Sequence, residues 1–179
     1  MVVRQTRFLL LRGGAIGDFI LTLPALRLLR DHWPDAHIEL IGYPHVAKLA
    51  LTGGLVDDVL SLDAAHIARL FSLRPDLPDE QKKYIRSFDI IFSWLHDPDG
   101  VVQENLLQAG ARQVIYGSPL IESGHAVDQL VKPLETLALY GAGSAPVLEA
   151  TPAQKALGRG FLDALGLNCL LYTSDAADE

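Results

Sequence analysis

Phe8-Leu-Leu-Leu-Arg-Gly-Gly-Ala-Ile-Gly-Asp-Phe-Ile-Leu-Thr-Leu-Pro24 is the stretch on which the fold of this chain turns. A short apolar run ends in a glycine-rich turn, and an amphipathic segment follows at once. That is the pattern of a strand, a tight turn and a helix N-terminus. Gly13, Gly14 and Gly17 let the backbone approach a ligand closely, and the free N–H groups of a helix start attract anions. Asp18 stands where a carboxylate either caps the helix or does chemistry, and spacing alone leaves both readings open. The glycines lack the G-x-G-x-x-G spacing of a dinucleotide fingerprint, and no Gly-Lys-Ser/Thr follows to make a phosphate-binding loop.

Outward from this turn, strands and helices alternate. Arg7–Leu11 reads as a first strand, apolar enough to be covered on both faces. A helix is expected over Ile16–Asp31, but Pro24 must kink it or mark where the helix proper begins. His37–Gly42, Asp58–Leu62, Phe88–Trp94 and Arg112–Tyr116 read as four further strands. Helices are expected over His45–Leu51, Ala64–Phe71, Gln81–Arg86 and Val101–Ala109, with Leu73–Glu80 a surface loop. His125–Tyr140 reads as a long helix bent at Pro133, and Gly141–Pro146 as a small-residue linker. Thr151-Pro-Ala-Gln154 carries the signature of a capped helix start, running to Leu165. The spacings leave room for crossover helices, so the expected fold is α/β: a doubly wound, Rossmann-like parallel sheet. In such sheets ligands bind beyond the carboxyl ends of the strands, where Gly13–Asp18, Gly42–Pro44 and His96–Gly100 all fall.

The 179 residues suit one domain, with room for only a fragment of a second. A net charge of −7, with Lys and Arg scattered rather than massed, argues against a nucleic-acid partner. No apolar run approaches the ~20 residues a membrane-spanning helix needs, and Arg12 interrupts the first strand too early for a signal peptide. A cytoplasmic protein is expected. A single cysteine leaves no internal disulfide framework and no multi-cysteine zinc site.

The last residues break this logic. Phe161–Leu167 reads as a helix end with a glycine stop, after which another strand is due. Cys169–Glu179 instead turns polar and resembles the conceptual translation of a sequencing-library adaptor; a natural acidic C-terminus is the alternative. On the adaptor reading the cysteine is not biological and the natural sequence is cut near Asn168. The expected organisation is therefore a domain over residues 1–146, a linker and helix over 147–168, and a non-native tail over 169–179.

Leu9-Leu-Leu-Arg-Gly-Gly-Ala-Ile-Gly-Asp-Phe-Ile-Leu-Thr-Leu-Pro-Ala-Leu-Arg-Leu-Leu29 closely resembles the opening of the heptosyltransferases, the ADP-heptose:lipopolysaccharide enzymes of glycosyltransferase family 9. The resemblance continues through Pro34–Leu40, Phe88–Ile91 and Asn105–Gly110. His125-Ala-Val-Asp-Gln-Leu130 is similar to a His-Ala-Val-Glu-Gln segment of that family. Members pair two Rossmann-like domains across a cleft, the GT-B arrangement, the first holding the acceptor and the second the nucleotide-sugar. The resemblance implies that this chain is the acceptor-binding half, stops before the donor domain, and is inactive alone.

It further implies that Asp18 is the general base, taking the proton of an acceptor hydroxyl as that oxygen displaces ADP from heptose with inversion. An ionised aspartate is a weak base, worth ~10²–10⁴-fold when it accepts the proton late in bond formation. Gly13, Gly14 and Gly17 would admit the acceptor, or simply make a tight turn. His96 and Asp97 could line the cleft or be solvated loop residues. Ser93–Asp99 departs from the family pattern and leaves the acceptor's identity open. His125 would line the acceptor site or cap its helix, and Arg12 would meet acceptor phosphates or pair with a neighbouring carboxylate. No metal and no cofactor are implied, the donor substrate being ADP-heptose. The implied partners are a lipopolysaccharide-core or lipid A-linked acceptor and the nucleotide-sugar, with peripheral contact at the inner membrane. A transferase of another sugar, or a non-catalytic Rossmann-like binding domain, is the alternative.

Overall fold

The computed structural model describes residues 4–121, 124–141, 145–148 and 150–167. Its residues form two compact units divided after Leu148. The larger unit is built on five parallel strands: β1 (Arg7–Arg12), β2 (His37–Gly42), β3 (Asp58–Ser61), β4 (Ile90–Trp94) and β5 (Val114–Tyr116). They are ordered β3-β2-β1-β4-β5, with every neighbouring pair parallel. This is the doubly wound α/β sheet that the alternation of strands and helices predicts.

Among the described residues of this unit, α1 (Ile16–Ile20), α2 (Leu23–His32), α3 (Pro44–Thr52), α4 (Ala65–Ala68), α5 (Asp79–Arg86) and α6 (Val101–Gln108) connect the strands, and α7 (Ala126–Val131) follows β5. The central strand shows why both faces must be covered, since successive strand side chains point to opposite sides. Phe8 and Leu10 join a core with Leu26 and Leu29 of α2, Ala47 of α3 and Leu130 of α7. Leu9 and Leu11 join a second core with Ile67 of α4, Ile85 of α5 and Leu106 of α6. Trp94 locks the first core by donating its indole N–H to the Leu130 carbonyl at 3.1 Å, and it stacks on Phe92 with ring centroids 5.6 Å apart.

The helix expected over Ile16–Asp31 is two helices. Pro24 lies in the first turn of α2, where its missing N–H does no harm; within one continuous helix its ring would strike the carbonyl four residues earlier. The chain therefore breaks at Leu21–Thr22. The segment expected as one bent helix from His125 to Tyr140 is α7 followed by a 3₁₀ turn over Lys132–Leu137, closed at Ala138 with φ +58°. Leu73–Glu80 is irregular up to Pro78, yet Leu77 is buried and pins it to the second core.

Several polar side chains are buried on the second face, among them Glu39, Gln81 and Asn105. Glu39 of β2 is buried, accepts a hydrogen bond from the Tyr84 hydroxyl and lies 3.8 Å from Arg7. Burial and the Glu39 carboxylate push the Tyr84 hydroxyl far above its ordinary range, so it stays a donor. In the smaller unit α8 (Pro152–Ala164) starts with the expected cap. Thr151 Oγ1 accepts from the Gln154 N–H at 3.2 Å, and Gln154 Oε1 accepts from the Thr151 N–H at 2.7 Å. The tail from Cys169 onward lies outside the described residues.

Candidate functional site

From β1 the chain winds outward through β2 and β3, then returns to lay β4 on the opposite side of β1. The connections leave the carboxyl ends of β1 and β4 in opposite directions. In open α/β sheets that reversal opens a crevice where ligands bind. The turn Gly13–Ala15, α1 and the segment Leu95–Gly100 form its walls. Gly13 touches both sides: a Cβ there would lie 3.5 Å from Leu62, beyond β3, and 3.5 Å from Leu95, beyond β4.

Asp18 is exposed at this crevice, three residues into α1. Its Oδ2 accepts the Ala15 N–H at 3.1 Å, and no hydrogen bond among the described residues reaches Oδ1. Gly14 is what makes room for that carboxylate. Its φ of +96° lies in the left-handed region, and a Cβ would come within 3.0 Å of Asp18 Oδ2. Gly17 differs, since a Cβ there meets nothing within 4 Å. Neither local packing nor φ requires glycine at 17.

Beneath Asp18 lies a polar anchor that sequence reasoning did not assemble. Arg12 is only 4% exposed, and each of its three nitrogens reaches a different segment. Nε donates to Thr22 Oγ1 at 2.9 Å, Nη1 to the Trp94 carbonyl at 3.3 Å, and Nη2 to the Asp18 carbonyl at 2.9 Å. Thr22, fully buried, donates its hydroxyl to the same Asp18 carbonyl at 3.0 Å. Burial lowers the Arg12 guanidinium below its ordinary pKa, and the Asp18 carboxylate partly opposes that. A guanidinium enclosed in this way is spent on the protein and is not presented to an acceptor phosphate. The signal for Thr22 was a lone hydroxyl four residues after Asp18 in an otherwise apolar run.

The remaining sequence-predicted residues divide. His96 is exposed directly after Leu95, on the β4 side of the crevice. Asp97 Oδ2 accepts the Gln103 N–H at 3.0 Å and caps α6. His125 is the N-cap of α7, its Nδ1 accepting the Val127 N–H at 3.3 Å. It also lines a cavity of about 720 Å³ with Tyr116, Ser118 and Lys132, beyond the end of β5. Two strand spacings separate β5 from β1, roughly 10 Å along the sheet, so His125 and Asp18 belong to different stations of one edge. Among the described residues no group of three or more His, Cys, Asp or Glu side chains is placed to hold a metal ion. Nor is any described helix long and apolar enough to cross a membrane.

No protein-family model matches the sequence, and no curated protein matches it either. Solved structures do match the fold. The chain is similar to the glycosyl transferase family 9 structure from Veillonella parvula DSM 2008, with a TM-score of 0.67 and 18% identity over 94% of this chain and 52% of that one. Against E. coli ADP-heptose LPS heptosyltransferase II the TM-score is 0.61 at 12% identity, covering 91% of this chain and 51% of the other. Against E. coli heptosyltransferase WaaC with ADP-2-deoxy-2-fluoro heptose it is 0.53 at 14% identity, covering 78% and 51%. At such identities the likeness establishes the fold: a Rossmann-like α/β domain of the kind found in GT-B glycosyltransferases. The chain spans about half the length of these structures.

Proposed function

We propose that this chain is the acceptor-binding half of an inverting glycosyltransferase that moves heptose from ADP-heptose to a lipopolysaccharide-core or lipid A-linked acceptor. Residues 1–146 would hold the acceptor, and 147–168 would lead into a second domain that holds most of the donor. The observation that carries the reading is Asp18: an exposed carboxylate with an unengaged oxygen, its main chain anchored at the switch point of the sheet. The half-length match to family 9 structures supports the two-domain assignment.

In the proposed reaction the acceptor hydroxyl oxygen attacks the anomeric carbon of heptose while the bond from that carbon to the ADP oxygen breaks. The hydroxyl proton passes to Asp18 Oδ1, and ADP leaves with the bonding pair. Oδ2 stays on the Ala15 N–H, so the carboxylate is oriented before the acceptor arrives. Gly17 leaves open space beside it for the sugar. His96 would contribute from the β4 wall. His125 would act further along the edge, in the β5 cavity, where Lys132 supplies a positive charge. No residue here is assigned to a metal or cofactor. The site of action is the cytoplasm, with peripheral contact at the inner membrane where a lipid-linked acceptor resides.

The test uses a polypeptide in which these residues continue into a donor-binding domain. It should release ADP from ADP-heptose only when acceptor is present. Asp18→Ala should fold normally and lose transfer, and wild-type-like turnover by that variant would end the base assignment. Turnover with a different nucleotide-sugar would make the protein a sister transferase. No turnover or binding of any nucleotide-sugar would make it a non-catalytic Rossmann-like binding domain. The chain of residues 1–179 alone is expected to be inactive, since transfer needs donor and acceptor held together.

A further inference from the structure

We propose that Arg12 and Thr22 are the positioning residues of Asp18, working as one unit that captures a carbonyl left open by the helix break. The proposal rests on the reading of Asp18 as the base, but its physical basis is separate. Pro24 forces the break between α1 and α2. At the break the Thr22 N–H bonds to the Phe19 carbonyl at 2.9 Å. In a continuous helix that N–H would have served the Asp18 carbonyl. The orphaned oxygen is taken up twice, by Arg12 Nη2 at 2.9 Å and by the Thr22 hydroxyl at 3.0 Å.

The arrangement exceeds what a helix end needs. A last-turn carbonyl is ordinarily satisfied by water at almost no cost. Here a guanidinium is enclosed at the end of the central strand, and enclosing a charge is costly unless its donors are engaged. All three Arg12 nitrogens are engaged, and the third, on the Trp94 carbonyl, ties the assembly to the β4 wall of the crevice. The consequence is a fixed distance between the two walls and a fixed orientation of residue 18. A planar fork with divergent donors can do this; a lysine ammonium, a single point at the end of a flexible stem, cannot reach all three acceptors.

The experiment is NMR on the chain of residues 1–179, comparing wild type with Thr22→Val and Thr22→Ser. Valine fills the space of threonine without its hydroxyl, and serine keeps the hydroxyl. The reporter is the Ala15 amide proton, whose chemical shift moves as the Asp18 carboxyl it is bonded to ionises. In Thr22→Val the amplitude of the pH-dependent shift should fall at least twofold, because the carboxylate no longer rests over Ala15; Thr22→Ser should restore it. An unchanged amplitude in a folded Thr22→Val overturns the proposal, as does a loss that serine fails to repair. Should Thr22→Val not fold, Arg12→Lys is read the same way. This measurement needs no transfer activity, so it stands or falls apart from the glycosyltransferase reading. In the two-domain polypeptide, Thr22→Val should lower kcat about 10–100-fold at unchanged acceptor KM, the signature of a misplaced base.

Discussion

The turn after β1 and the turn after β4 lie side by side, each with an aspartate whose Oδ2 accepts one backbone N–H. Asp18 takes Ala15 at 3.1 Å and Asp97 takes Gln103 at 3.0 Å. By side-chain hydrogen bonding they are the same device, a carboxylate at a helix start. They differ in what holds the main chain. The Asp97 carbonyl accepts the Gly100 N–H at 3.1 Å and closes a local turn. The Asp18 carbonyl is gripped from the protein interior by Arg12 and Thr22. Asp97 is half-buried and Asp18 exposed. A cap stabilises its own helix and needs nothing beneath it. Arg12 also reaches the end of β4 at Trp94, but only at Asp18 does it bond the aspartate's own carbonyl, and that separates the candidate base from the ordinary cap.

Activity should separate the two aspartates most strongly. In a two-domain polypeptide, Asp18→Asn should lower kcat by ~10²–10⁴, whereas Asp97→Asn should stay within about twofold of wild type. Equal losses would erase the distinction. Next come the glycines flanking each aspartate, both with positive φ: Gly14 at +96° and Gly100 at +69°. A Cβ at Gly100 meets nothing within 4 Å, so Gly100→Ala should cost only backbone strain, about 1 kcal/mol by denaturant titration. At Gly14 the same strain is joined by a 3.0 Å approach to Asp18 Oδ2, so Gly14→Ala should cost about 2 kcal/mol and displace the carboxylate.

Stability sharpens the contrast further. Asp97→Ala removes the cap of α6 and should lower stability by about 1 kcal/mol while leaving acceptor KM unchanged. The smallest effect is expected at Gly17, which is helical and open. Gly17→Ala should raise stability by roughly 0.5 kcal/mol yet weaken acceptor binding, because the added methyl would enter the open space that the proposed function gives to the acceptor. A neutral effect on acceptor KM would reduce Gly17 to a turn residue.

Much of this was legible in the sequence. The apolar run Phe8–Leu11 required two covered faces, and alternating strands with room for crossovers required a parallel sheet. The turn at Gly13–Asp18 identified itself by its glycines and acid. What stayed hidden depended on contacts between distant segments. Arg12 could be read as a phosphate ligand or an ion-pair partner, because nothing local says that β4 brings the Trp94 carbonyl beside it. Pro24 announced a disturbance, but one proline cannot say which carbonyl it orphans or what rescues it. His125 was legible as a cap-or-ligand residue; it caps α7 and also lines the β5 cavity. Pro133 marked a change in its helix, and the outcome, a 3₁₀ turn ended by Ala138, was set by packing against the first core.

The proposed reaction requires that the acceptor hydroxyl meet Asp18. A crystal structure of the two-domain polypeptide with acceptor and an inert donor analogue tests it most directly. The reacting hydroxyl is expected within ~2.6–3.2 Å of Asp18 Oδ1, with Oδ2 still on the Ala15 N–H. An acceptor seated wholly in the cavity beyond β5, its hydroxyl away from Asp18, would contradict it.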